Sequence, residues 1–296
     1  MIVVENLRKS FGALVAVDGV SFELQTGETF GLLGPNGAGK TTTINMIVGV
    51  LKPDGGAIKI DGSNDPTQAS VRRAIGNAPQ KIALYEELTG EENLRFFGKT
   101  YGLSGKRLAE RVEWSLEFSG LTDRRKDRVR TYSGGMARRL NMACALVHDP
   151  PVLLLDEPTV GVDPQSRNAI FNSIEALKKQ GRTIVYTTHY MEEAQRLCDR
   201  VAIIDHGKVL DIDTVSGLIE KHGGNSVVEA EMTKPPDSAN QLPGVFKGNV
   251  LRVETDKPLE VVAQLARLGC EFTKINIDKA DLEAVFLNLT GRRLRD

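Results

Sequence analysis

Residues 28 to 50, ETFGLLGPNGAGKTTTINMIVGV, constrain what this chain can fold into more than any other stretch. Phe30, Gly31, Leu32 and Leu33 read as a short buried strand. Gly34 to Thr41 then spells G-x-x-x-x-G-K followed by Ser or Thr, and Ile44, Ile47 and Val48 recur at helical spacing. Strand, Gly-rich loop and helix in that order make a cradle for phosphate. Three residues of the loop Gly34-Pro35-Asn36-Gly37-Ala38-Gly39 lack a Cβ, so its backbone can turn inward and lie close against oxygen atoms. The helix opening at Lys40, Thr41 and Thr42 adds its positive end. Lys40 supplies a point charge for the β- and γ-phosphates, and the Thr41 hydroxyl is placed to bind Mg²⁺. A nucleotide is the expected ligand of this stretch.

Length and composition bound what that nucleotide can serve. The 296 residues suit one large domain plus a smaller one. A formal net charge of −1 gives no global electrostatic case for nucleic acid. No apolar run approaches the ~20 residues of a membrane span. The N-terminal MIVVENLRKSF lacks the long apolar core of a signal peptide. Cys144, Cys198 and Cys270 lie far apart in apolar surroundings, as small buried hydrophobes of a reducing compartment. A cytoplasmic protein is expected, one that needs a partner chain for any role at a membrane.

From the N-terminus, Ile2–Leu7, Leu14–Val17 and Val20–Leu24 read as strands, the last two joined by a hairpin turn at Asp18-Gly19. Phe11, beside Gly12, is either a packing residue or a platform for an adenine ring. Ile75 to Ala78 reads as a strand running into Pro79-Gln80, which puts Gln80 where an α/β sheet holds its ligands. Helical patterns follow. Thr89 and Glu92 match a capping box. Leu108, Val112, Leu116 and Phe118 line a second helix, with Trp114 off that stripe. The run RRKDRVR, Arg124 to Arg130, is either a solvated face or a contact for a partner's acidic loops or lipid headgroups. Ser133-Gly134-Gly135 precedes a helix through Leu140, Ala143 and Leu146. Ser133 reads as its N-cap, and the glycines offer a second backbone nest for an anion.

Val152 to Leu155 is a continuous apolar run, the mark of a strand buried on both faces, and it ends in Asp156-Glu157-Pro158. Two adjacent carboxylates there are costly without a cation. Mg²⁺ on Asp156 is the natural partner, which leaves Glu157 to orient or deprotonate a water. Pro164 opens a helix just after Asp163. Thr183 to Thr187 is the next strand, with Thr188-His189 at its end; a histidine there is structural unless it joins a phosphate site. Val201–Ile204 and Val209–Ile212 form a hairpin around His206-Gly207. Residues 223 to 249 break the pattern with Gly223-Gly224, Pro235-Pro236 and Pro243-Gly244, around a strand at Val227–Met232. Strands and helices beyond it run to Leu289.

GPNGAGKTT, Gln80, YSGGM, LLLDEP, GVDP and His189 thus stand in one order. Over residues 1 to about 220 they resemble the nucleotide-binding subunit of ABC transporters. That resemblance implies an α/β P-loop NTPase cassette over 1–222, with a mixed-sheet core, an antiparallel β subdomain and a helical subdomain at about 85–150. A small α+β C-terminal domain with its linker fills 223–296. It also implies a Mg-dependent ATPase whose two copies sandwich two ATP molecules. Ser133, Gly134 and Gly135 of one copy would meet the γ-phosphate held by the loop of the other. Gln80 would touch Mg²⁺ or water and report to a membrane partner, Glu157 would be the general base, and His189 would contact the γ-phosphate. Asp163 would communicate across the dimer and Phe11 would stack on adenine. Met136 stands where the family has glutamine and Tyr132 where it has leucine, yet the Ser-Gly-Gly donors remain. DLEAVFLNLTG, Asp281 to Gly291, and TVGVDPQSR, Thr159 to Arg167, resemble exporter-type subunits that pair with separate permeases for drugs, antibiotics, lipids, polysaccharides or sodium. The implied protein sits at the cytoplasmic face of the membrane through its permease, with no nucleic acid partner. The rival is a non-transport ABC clamp or regulator. Such chains carry two cassettes, long coiled coils or basic surfaces, against one phosphate loop, no sustained heptads and near-zero charge here.

Overall fold

The computed structural model describes residues 2–60, 62–63, 65–233, 244–278 and 280–292. Its contacts group into two compact units, Met1–Val215 and Ser216–Asp296.

The first unit begins with β1 (Ile2–Phe11) and β2 (Leu14–Leu24), antiparallel neighbours. The turn between them lies at Gly12-Ala13, not at the expected Asp18-Gly19, and β2 is one continuous strand. Leu7 pairs with Val20 and Arg8 with Asp18, so Gly19, at φ +77°, is an extra residue bulged out of β2. Asp18 is held there rather than in a turn. Its N–H donates to the Gly207 carbonyl at 2.8 Å, and its carboxylate faces Arg8 and Lys208.

The phosphate-loop stretch folds as read: β3 (Thr29–Leu33), fully buried, then the loop, then α1 (Lys40–Ile47). After it come β4 (Gly55–Ile60), the short α2 (Ala69–Arg73) and β5 (Ile75–Ala78). β4 pairs with the other side of β1, which closes a three-stranded antiparallel sheet in the order β2-β1-β4.

Three helices then form a layer with its own core: α3 (Gly90–Thr100), α4 (Gly105–Ser119) and α5 (Gly134–Leu146). Leu94, Leu108, Val112, Leu116, Leu140 and Ala143 pack there. The capping box forms at Thr89 and Glu92, a device worth about 0.5–2 kcal/mol. Phe118 leaves the expected stripe and stacks on Trp114, centroids 5.0 Å apart. The basic run is largely neutralised by the chain itself: Arg125 pairs with Glu91 and Glu113, Arg124 with Asp127, and Arg128 and Arg130 with Glu87.

β6 (Val152–Asp156), α6 (Pro164–Lys179), β7 (Thr183–Thr188), α7 (Met191–Leu197), β8 (Arg200–Asp205) and β9 (Lys208–Thr214) complete the unit. The central sheet runs β5-β6-β7-β3-β8-β9, parallel except for β9, which returns against β8 through His206-Gly207. The carboxyl ends of β3, β5, β6 and β7 therefore lie together, where a parallel sheet binds its ligand.

The second unit takes in most of α8 (Val215–His222). It holds an antiparallel sheet of β10 (Ser226–Met232), β11 (Val245–Lys247), β12 (Val250–Thr255) and β13 (Phe272–Asp278), in the order β11-β12-β10-β13. α9 (Pro258–Arg267) packs Val261 and Leu265 into its core, and α10 (Leu282–Thr290) buries Leu282, Val285 and Phe286. The short β11 lies inside the stretch expected to be irregular. Pro235, Pro236 and Pro243 lie outside the described residues.

Candidate active site

Gly39 is the N-cap of α1 at φ +100°, and a Cβ on it would stand 2.4 Å from the Ala16 carbonyl oxygen. No L side chain fits there. The backbone thus turns so that the first N–H groups of α1, which have no partner within the helix, face outward. In front of them lies a cleft of ≈ 390 Å³ whose lining includes Phe11, Asn36, Gly37, Gly39, Lys40, Thr41, Thr42, Gln80 and Glu157. One concavity therefore joins residues from four separate segments of the sequence. Phe11 is half exposed at its mouth beside the exposed Leu14, and Lys9 lies over its ring at 5.7 Å.

Lys40 is buried, yet its ammonium is well supplied. It donates to the carbonyls of Gly34 and Pro35 at 2.7 and 3.0 Å and pairs with Glu157 Oε1 at 3.1 Å. Burial lowers its pKa, and the carboxylates of Glu157 and Asp156 work against that. Gln80 Nε2 donates to Glu157 Oε2 at 2.8 Å, and His189 Nδ1 stands 3.2 Å from Oε1. Lys40, Gln80 and His189, read from three separate stretches, thus converge on one carboxylate. Glu157 itself is held at φ +45°, a strained angle for a side chain of its size.

Asp156, next to it, is almost fully buried, and desolvation raises its pKa. The Thr187 and Thr41 hydroxyls and the Lys40 charge pull the other way. Thr187 Oγ1 donates to Asp156 Oδ1 at 2.5 Å and accepts from the Glu157 N–H at 2.9 Å. A single hydroxyl so fixes both acids. Thr41, Asp156 and Gln80 present only hard oxygen donors, the set that suits Mg²⁺. Among the described residues no three His, Cys, Asp or Glu side chains gather to hold a metal ion. A divalent ion here would need oxygens from the ligand as well.

Ser133, Gly134, Gly135 and Asp163 do not line this cleft. Ser133 caps α5, accepting from the Met136 N–H at 3.2 Å, and Asp163 caps α6, accepting from the Ser166 N–H at 2.9 Å. The two caps are neighbours, because a Cβ on Gly135 would meet Asp163 Oδ2 at 3.2 Å. Tyr132 packs against the helical core, and its hydroxyl donates to the Arg124 carbonyl at 2.8 Å.

The sequence reading missed a second layer behind the site. Glu193 on α7 is buried and accepts from Thr159 Oγ1, Arg167 Nε, Tyr186 OH and Thr188 Oγ1, all within 3.0 Å. It ties the loop after Glu157 to the strand that ends at His189. Nothing in local spacing marks it, since its partners come from three different elements.

The ABC transporter family model matches residues 17–160. The linearmycin resistance ATP-binding protein of Bacillus subtilis is 41% identical, with all of both chains covered. The chain belongs to the ABC transporter family, as an ATP-binding subunit. A Nod factor export ATP-binding protein of Paraburkholderia xenovorans is 42% identical to this ABC subunit over 99% of this chain and 97% of that one. Among solved structures, an ATP-binding subunit of an ABC transporter superposes with a TM-score of 0.69 at 33% identity, covering 75% of this chain and 93% of that one. An ATP-binding cassette solved as a dimer in a post-hydrolysis state, with ADP and Pi bound, gives 0.66 at 27% identity, covering 72% and 98%. The P-loop cassette fold expected from the sequence is the fold of this ABC subunit. No helix among the described residues is long and apolar enough to cross a membrane.

Proposed function

We propose that this ABC subunit hydrolyses Mg-ATP between two copies of itself and powers export through a separate membrane permease. The convergence of Lys40, Gln80 and His189 on Glu157 beside the phosphate loop is the observation that carries this reading. The loop amides and Lys40 grip the phosphates. Glu157 accepts the proton of a water that attacks the γ-phosphorus, and the bond to the ADP oxygen breaks. Lys40 and His189 meet one oxygen of that carboxylate and the Gln80 amide meets the other, so the phosphate it faces would meet positive or donor groups beside it. Thr41 and Asp156, with Gln80 nearby, would hold Mg²⁺, which neutralises charge on the β- and γ-phosphates.

Ser133, Gly134 and Gly135 do not face their own chain's loop, which supports a trans role against a second copy. Asp163, beside them, would carry the state of one site to the other. Phe11, half exposed in the lining of the cleft, would stack on the base. The named relatives, a linearmycin resistance ATP-binding protein and a Nod factor export ATP-binding protein, support an exporter rather than an importer.

The test is phosphate release by the purified chain with a fluorescent analogue as binding probe. E157Q keeps nucleotide affinity within about twofold and loses at least about a hundredfold in turnover. Turnover near wild type removes Glu157 as the base. ATP-dependent transport in vesicles that carry this subunit with a candidate permease tests the export half, and no transport above the E157Q control counts against it.

A further inference from the structure

Arg138 sits on α5 one turn beyond Gly134 and Gly135, on the same helix face. Its side chain is buried, only 8% exposed, at a position where arginines rarely hide without partners. Its partners are backbone carbonyls of two other loops. Nη1 donates to Gln80 O at 2.5 Å and lies 3.5 Å from Pro79 O, while Nη2 donates to Val160 O at 3.3 Å. Asn141, a turn later, clasps the same loop: its amide donates to Pro79 O at 3.3 Å and its oxygen accepts from the Ala83 N–H at 3.1 Å. The N-terminal turn of α5 also lies flat on the segment after Glu157. A Cβ on Gly135 would stand 2.2 Å from Ser166 Oγ, and one on Gly134 3.9 Å from Gly161 O.

The two loops that Arg138 holds flank Glu157 from either side: one carries Gln80, the other follows Glu157 itself. Burial acts against the guanidinium charge, and the Asp156 and Glu157 carboxylates favour it. A planar fork can serve both loops at once, whereas an ammonium is a single point that reaches one.

We infer that Arg138 is a positioning residue, its fork fixing the Ser133–Gly135 turn to the loops around the chain's own Glu157 and so setting that turn's orientation toward a second copy. This rests on the two-copy reading above. It assigns to one side chain the link between what a subunit holds and what it offers its partner.

The experiment is sedimentation velocity with saturating Mg-ATP, in the E157Q background that retains nucleotide, paired with trinitrophenyl-ATP titration of each variant. E157Q pairs. E157Q/R138K and E157Q/R138Q need at least about tenfold more protein to pair, while trinitrophenyl-ATP affinity stays within about twofold. E157Q/R139Q, which changes an arginine bonded instead to the carbonyls of Ser119 and Gly120, pairs like E157Q. Pairing of E157Q/R138K within about twofold of E157Q overturns the inference, because charge alone then suffices. A parallel loss of nucleotide affinity also overturns it, since the residue would then be a general prop of the fold. E157Q that stays monomeric sinks the two-copy reading and this inference with it.

Discussion

The Thr187 hydroxyl shows how little slack the two acids have. It gives its proton to Asp156 and accepts the Glu157 N–H, so the carboxylate of one and the backbone of the other depend on one oxygen. Valine has the same shape without that oxygen. T187V leaves a buried carboxylate short of a donor and should cost about 1–3 kcal/mol of unfolding free energy, with a fall in ATP turnover. T187S should keep both near wild type. Urea melts and phosphate release check this, and a T187V protein as stable as wild type removes the bond from the account. Lys40, Thr41, Asp156 and Glu157 were legible from sequence because their meaning lies in neighbours a few residues away. Gln80 and His189 were legible as strand ends, but their meeting on Glu157 was not. Arg138 left no trace in the sequence, since it bonds main-chain carbonyls, which every residue carries, one of them 58 positions away.

Elements were readable where one physical demand dominated. Val152 to Leu155 had to be a doubly buried strand, and Thr89 with Glu92 had to start a helix. Asp18-Gly19 was misread because the same dipeptide serves a turn or a bulge. The choice was made by Gly207 and Lys208, almost two hundred residues on. The junction of α3 and α5 hides another long-range device. His148, just past α5, stacks on Tyr101 at the end of α3, centroids 3.6 Å apart, with Nε2 3.2 Å from the Ile75 carbonyl. Burial depresses its pKa to about 4, aided by Arg111 and opposed by the Ile75 carbonyl and Asp149. In the unfolded chain the ring titrates near 6.5. The folded state therefore binds fewer protons between those values, so stability is full above pH 6.5 and falls as pH drops toward 4. From pH 7 to pH 5 the loss from this ring is roughly 2 kcal/mol. H148F keeps a ring on Tyr101 and cannot titrate, so its stability should fall less over the same interval by about that amount. Denaturant melts of both proteins at the two pH values decide it, and equal pH dependence would rule out the ring as the cause.

At the scale of the molecule, each unit draws its hydrophobic core from its own residues. Ile2 to Ile212 supply two clusters in the first unit, and Val228 to Ile277 supply one in the second. A boundary at 222–223 follows from the glycines there, which punctuate the sequence. The structure's grouping instead divides at Val215, because α8 is tied into the second unit: the His222 carbonyl accepts from Asn288 Nδ2 at 2.8 Å, and Gly223 leaves no room for a Cβ beside Ala280. Glycine marks where a chain can turn, but only contacts say which side a helix joins. We propose that the first unit folds and binds nucleotide alone. A chain of residues 1–215 keeps every group that converges on Glu157. It should melt in one cooperative transition and hold trinitrophenyl-ATP within about threefold of the full chain. A chain of residues 1–222 keeps α8 but loses Asn288 and the rest of its own unit. Leu218, fully buried in the intact protein, then sits on a helix cut away from its own unit, and this longer piece should be the more prone to aggregate. Light scattering and calorimetry on the two fragments compare them directly. If 1–215 fails to fold while 1–222 behaves well, α8 belongs to the nucleotide-binding unit and the division lies at the glycines after all.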